Sequence, residues 1–241
     1  MFNIFKKTPI IEFYCHPDLQ GIIPEPKPAS KYIAEWYKKI PAFVPEERDP
    51  YGGIGMTAKK CLPMLDAMTL GFVIPLCADV NIITDATCEK IHITNPPKLK
   101  IAEFHSINQI GGALAPGAPA QPIKFMNYWV VKTAPGWSTL FLPLINDIHN
   151  KDFTCLSALV DTDKFPKEVH FPAIWHTKNF DDFLPAGTPL VVAIPIKRNT
   201  FKKQPVVRTM TRKEFTRINN INKMQGTRRH VYTEELRERR K

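Results

Sequence analysis

His16-Pro17-Asp18 is the first phrase in the chain that could do chemistry. A His and an Asp two residues apart match two ligands of a non-haem iron facial triad, and a later His must supply the third. His149, His170 and His176 lie at workable sequence distances. The pair falls in the first strand, however, before any β-core exists to carry it, and Lys178 is the only cation just after His176. The competing role is a turn whose Asp is capped by backbone amides. Cys15, Cys61, Cys77, Cys88 and Cys155 number five, an odd count, with no CxxC spacing. They are expected to be free buried thiols. A zinc site from Cys15, Cys61, His16 and His105 has no ligand spacing behind it. A Cys nucleophile would need a His partner, and nothing selects one. Trp129, Trp137 and Trp175 could stack on a base or sugar if one face carried them; core packing is the competing explanation. Trp137 is the best placed for exposure, because it sits in the turn Pro135-Gly136-Trp137-Ser138. No Gly-rich phosphate loop, GxSxG elbow or HExxH phrase appears.

The elements that must position these groups are mostly strands. The chain has 241 residues, 44% of them hydrophobic, which is enough to build a core. Its 23 prolines outnumber 11 glycines, so long helices cannot dominate. Ile10–Tyr14, Phe72–Leu76, Val80–Thr84, Glu89–Thr94, Phe125–Thr133, Ser138–Leu142, Phe153–Val160, Glu168–Phe171 and Leu190–Ile196 read as strands. Helices are expected from Lys31 to Lys39, with Ser30 as cap, and from Leu62 to Thr69. Asp49–Gly55 and Gly111–Pro122 read as a turn and a flexible connector. Short strands at this spacing predict a mainly β domain over residues 1–201, a compact barrel or sandwich with short N-terminal helices.

The formal net charge of +10 is concentrated at one end. Residues 202–241 hold 13 Lys and Arg against 4 Asp and Glu, a net of +9, and residues 1–201 nearly balance. Thr211-Arg212-Lys213-Glu214 is a capping-box pattern. Phe215, Ile218, Ile221 and Met224 follow at helical spacing up to Gly226, and a second helix is expected from Thr233. This predicts a basic helical arm. Lys202, Lys203, Arg208, Arg212, Arg217, Arg228 and Arg229 are its candidate contacts to nucleic acid or an acidic surface. No apolar run approaches the length of a membrane span, and no basic-then-apolar signal segment opens the chain. A reduced, intracellular protein is expected.

Three phrases between Thr133 and Ile196 carry a resemblance. They are Ala134-Pro135-Gly136-Trp137-Ser138, Leu159-Val160-Asp161-Thr162-Asp163 and Pro185-Ala186-Gly187-Thr188-Pro189 with the strand after it. Their order resembles the β-clip superfamily of trimeric dUTPases and dCTP deaminases. That likeness implies a β-clip fold, a homo-oligomer and a nucleoside-binding or water-activating role for Asp161, with Asp163 as the second Asp. It implies magnesium for phosphate hydrolysis. The departures are specific. Leu142-Pro143-Leu144-Ile145-Asn146 replaces the Arg-Ser-Ser phrase, and Pro189-Leu190-Val191-Val192 replaces Arg-Ile-Ala-Gln. Hydrolysis needs cations to offset developing charge, and those are missing. Asp161 and Asp163 can instead shape a strand-end turn.

Across residues 10–200 the chain also resembles an uncharacterised family of tailed phages, cyanophages among them, and bacteria. Cys61-Leu62-Pro63-Met64-Leu65-Asp66-Ala67-Met68 and Gly71-Phe72-Val73-Ile74-Pro75-Leu76 carry this likeness. It implies the cytoplasm of an infected cell, or a virion. The expected function is non-catalytic binding or assembly, with Trp137 and Asp161 as ligand candidates. No cofactor is called for; iron at His16 and Asp18 and magnesium at Asp161 belong to the enzyme alternatives.

Overall fold

The computed structural model describes residues 10–48, 52–111, 122–148, 152–201, 204–228 and 230–238. In chain order it runs β1 (Ile11–Tyr14), β2 (Lys27–Pro28), α1 (Glu35–Lys39), β3 (Phe43–Arg48), β4 (Ile54–Met56), α2 (Leu62–Met68), β5 (Phe72–Pro75) and β6 (Val80–Thr84). Then come β7 (Ile91–Thr94), β8 (Ala102–Phe104), β9 (Ile123–Phe125), β10 (Val130–Thr133), β11 (Trp137–Leu142) and β12 (Phe153–Cys155). β13 (Ala158–Val160), β14 (Phe171–Trp175), β15 (Asp181–Leu184), β16 (Pro189–Lys197) and α3 (Arg212–Thr227) complete it. The fold is mainly β, with helices toward the two ends. Among the described residues no sheet closes into a barrel. The strands form antiparallel sheets in the orders β13-β11-β16-β5-β2, β12-β14-β9-β8 and β15-β6-β7, plus the pairs β1-β10 and β3-β4.

β16 is the longest strand and lies in the middle of the largest sheet. Its apolar run Leu190–Ala193 is buried on both faces, which is why the run is continuous rather than alternating. Pro195 is tolerated because β16 has passed Ala193, the last residue paired to β5, and keeps only β11 as neighbour among the described residues. Aromatic rings fill the space between sheets. Phe125 packs on Phe153 with ring centres 4.8 Å apart, Trp175 on Phe180 at 5.0 Å, and Phe141 on Phe171 at 5.5 Å. The core clustered around them draws on all three larger sheets.

Several expected elements take different bounds. The helix expected from Lys31 starts at Glu35, because Ile33 and Ala34 adopt extended angles (ψ 128° and 137°). Ala29 is buried and donates its N–H to Gly71 O at 3.0 Å. That tertiary bond anchors a separate 3-10 turn, Ala29–Tyr32, which ends at Ile33, so Ser30 lies inside that turn and does not cap the α-helix. Phe125–Thr133 is not one strand. Asn127 is buried, and its side chain bonds Trp129 N (2.9 Å) and Trp129 O (2.7 Å), which turns the chain between β9 and β10. Phe153–Val160 likewise divides between two sheets. The helix expected from Thr233 reduces to one turn, Tyr232–Leu236. Strands β2, β3, β4, β8 and β15 fall outside the expected runs, and the strand expected at Glu168–Phe171 instead runs Phe171–Trp175. The connector expected at Gly111–Pro122 lies almost wholly outside the described residues, as does the first half of the Asp49–Gly55 turn.

Gly71 shows how closely α2 and β5 approach β16. It has φ +80°, and a Cβ there would meet Ala193 O at 2.6 Å. Gly187 has φ +87° with nothing within 4 Å of a Cβ. Gly187→Ala is therefore expected to cost about 1 kcal/mol, from backbone strain alone. Gly71→Ala is expected to cost about 3 kcal/mol, from strain and overpacking together. Urea denaturation of both variants measures the contrast, and equal costs would contradict this packing.

Candidate functional site

Two of the three phrases, those around Trp137 and Asp161, meet at one end of the largest sheet, whereas the Pro185–Pro189 turn lies at the opposite end of β16. β11 pairs with β13 and β16, so Trp137 stands opposite Lys197 and Thr139 opposite Val160. This register places the Asp161–Asp163 turn beside the first residues of β11. It also brings in Arg198, the residue just after β16. Arg198 forks onto Asp163, with Nη1 to Oδ1 at 2.6 Å and Nη2 to Oδ2 at 2.5 Å. Its Nη1 lies 3.3 Å from Asp161 Oδ1 and donates to Trp137 O at 2.9 Å. Asp163 also accepts from Gly136 N at 2.8 Å. Ser138 Oγ donates to Asp161 Oδ1 at 2.6 Å. Beneath them, the buried Thr162 hydroxyl lies 2.8 Å from those of both Thr133 and Thr139.

The cluster works as a clasp. Asp163 has a side chain only 4% exposed, and Arg198 beside it holds its carboxyl at about 2, well below the usual carboxylate range. Asp161 is 59% exposed at the side chain, and its carbonyl accepts from Lys164 N and Phe165 N, closing the strand-end turn. The depression beside it is about 430 Å³ and is lined by Leu159, Val160, Lys164 and Phe165, without Trp137. Asp161 and Trp137 are joined through backbone, hydroxyl and guanidinium contacts rather than across a shared pocket.

The other candidates separate. His16 Nδ1 accepts from Asp18 N at 3.3 Å and lies 3.5 Å from Asp18 Oδ2. Here the His caps the turn, and the Asp side chain is 87% exposed. Among the described residues no three His, Cys, Asp or Glu side chains gather as metal ligands. His149 lies outside them. His170 Nδ1 accepts from Asn127 N, and His176 Nε2 lies 2.8 Å from Thr154 Oγ1. The three tryptophans share no face. Trp175 is buried and donates to Thr177 O, Trp129 donates to Pro24 O, and Trp137 is half-buried. Burial pushes the Cys77 thiol up to about 11 and raises that of Cys155 as well.

The basic arm begins where the clasp ends. Residues 204–210 run extended, with Val206 and Val207 85% and 93% exposed. Thr211 and Glu214 form the expected capping box, and Arg208 forks onto Glu214 at 2.8 and 2.5 Å. Helix α3 buries none of its residues. Arg212, Lys213, Arg217 and Lys223 have no ion partner among the described residues, whereas Arg228 pairs with Glu234 and Glu235. Lys202, Lys203 and Arg229 lie outside the described residues. After α3 the chain turns at His230, φ 72°, and docks back. Val231 is buried, and Arg237 forks onto Asp66 of α2 at 3.0 and 2.7 Å.

Neither Arg198 nor the Asp66–Arg237 pair is marked in the sequence. Their partners lie 35 and 171 residues away, and no local spacing signals that. The chain matches no protein-family model, and no curated protein matches it. Among the described residues no helix is long and apolar enough to cross a membrane.

Asp163→Ala is expected to destabilise the protein by about 2 kcal/mol, because it strands a largely covered guanidinium; Asp161→Ala is expected to cost under about 1 kcal/mol. Since Asp163 is held below its ordinary pKa, its contribution is complete above about pH 4. It is lost as pH falls toward about 2. Denaturation series at pH 2 to 5 should show a shallower acid slope in Asp163→Asn, and an unchanged slope would remove the clasp from the account.

Proposed function

We propose that this is a non-catalytic binding and assembly protein whose basic arm engages a polyanion, with nucleic acid phosphate the leading partner. The observation that carries the reading is α3. It is capped by its own residues, buries none of them, and displays Arg212, Lys213 and Arg217 without ion partners among the described residues. Cations held on a preformed helix bind phosphate at little ordering cost and release condensed counterions. The Asp161–Asp163 turn supports the non-catalytic half, because its carboxylates are committed to Ser138, Gly136 and Arg198. Its resemblance to phage proteins points to the infected bacterial cell or the virion as the setting.

The same reading includes self-association. Phe183 on edge strand β15 is 60% exposed, and Ile83 of β6 is 38% exposed. The register Asn81↔Phe183 and Ile83↔Asp181 puts them on one face. An edge with no further strand beside it among the described residues, and with an apolar face, suits pairing with a second copy. Sedimentation of Phe183→Lys against wild type is expected to show a shift toward monomer.

The charge test leaves the docked C-terminal turn intact, which a truncation at residue 201 would not. Arg212→Gln, Lys213→Gln and Arg217→Gln together are expected to weaken binding of single strands, duplex and polyphosphate alike. The slope of log affinity against log salt should fall by about 2. Binding and slope equal to wild type would exclude the arm as the contact. Retained binding to an acidic protein alone, with no nucleic acid bound, would replace phosphate with carboxylate as the target.

A further inference from the structure

The arm returns to a part of the body that is itself basic. Lys59 Nζ donates to the carbonyls of Tyr37 and Lys38, which brings it to the end of α1 that carries Lys38 and Lys39, and Lys60 follows it in the chain with its Nζ over the Phe43 ring. Glu35 pairs with Lys38 in that group. A body that balances overall therefore carries a local excess of cations where the basic arm lands. Asp66, Glu234 and Glu235 offset part of the repulsion through Arg237 and Arg228. Glu46 and Glu47 lie farther out on β3 and do not line the space between.

That space is a cleft of about 590 Å³ between the β3–β4 hairpin, the start of α2 and the returning arm. Its volume falls within the range of small-ligand sites. Phe43, Met56 and Tyr232 line it and are 42%, 57% and 39% exposed. Lys60 also lines it, with Nζ 4.9 Å from the centre of the Phe43 ring. Exposed rings beside cations, at the end of a cationic helix about 24 Å long, fit a chain of alternating phosphates and flat rings. A duplex keeps its bases stacked inside and cannot offer them to a cleft, whereas an unpaired strand can.

We infer that the polyanion is a single-stranded nucleic acid. Its backbone follows Arg212, Lys213 and Arg217 along α3, and one base seats in the cleft against Phe43 and Tyr232 with Lys60 at its phosphate. The bound strand lies between two like-charged surfaces and neutralises both. This rests on the polyanion reading of the arm and adds the strand type and the base site.

Fluorescence anisotropy of the full chain tests it, with labelled oligothymidylate and oligouridylate, an abasic strand of equal length, the matched duplex and polyphosphate. The two oligonucleotides should bind at least about tenfold tighter than the abasic strand, the duplex or polyphosphate. Phe43→Ala and Tyr232→Ala should each lower oligonucleotide affinity about tenfold and leave polyphosphate affinity unchanged. Unchanged polyphosphate binding also reports that the variant is folded. Equal binding of abasic and normal strands, or wild-type affinity in both ring variants, overturns the base site. If the Arg212, Lys213 and Arg217 substitutions still weaken binding in that case, the arm reading stands and the single-strand inference alone fails.

Discussion

Two carboxylate–guanidinium forks hold the basic arm, one where it leaves the body and one where it returns. Arg198 on Asp163 fixes the chain at the end of β16. Arg237 on Asp66 fixes it against α2. Between these points lie an extended strap and a helix that bury almost nothing. A cationic segment of this length would separate from a body carrying Lys38, Lys39, Lys59 and Lys60 unless something tied it down. A planar fork suits that task, because a bidentate pair fixes direction as well as distance.

The body supplies the rigid half of each fork. β16 is central in its sheet, and its Leu190–Ala193 run is buried, so Arg198 follows a strand that is firmly held by the core. The hydroxyl chain Thr133–Thr162–Thr139 satisfies the buried polar groups under Asp163 and locks the turn against β10 and β11. α2 is short, but Gly71 lets the chain after it press against Ala193. The two anchors are thus connected through β5 and β16, and the cleft has one wall from the body and the other from the returning arm.

The residues with the most suggestive chemistry proved to have structural partners. The order of phrases in the sequence singles out Asp161 and Asp163, yet the register that gathers them also delivers a guanidinium and a serine hydroxyl. Trp175 and Trp129 went to the core and its margin, where each N–H finds a carbonyl. His16 caps a turn. The arm ran the other way. The capping box at Thr211 and Glu214 and the helical spacing from Phe215 were legible and formed as expected, because those signals are local. The cleft was not legible, since Phe43, Lys60 and Tyr232 come from three distant segments.

The sequence by itself determined a mainly β body, the strands with strong β-branched runs, the α2 and α3 helices and the concentration of charge in the last forty residues. Each of these depends on neighbours within a few positions. Only the tertiary structure decided where the helix that carries Trp36 begins, how Asn127 divides a strand, which Arg neutralises Asp163, and that the arm folds back onto Asp66. Those outcomes depend on groups brought together from far apart in the chain. A buried carboxylate or amide must find its partner wherever the packed sheets place one.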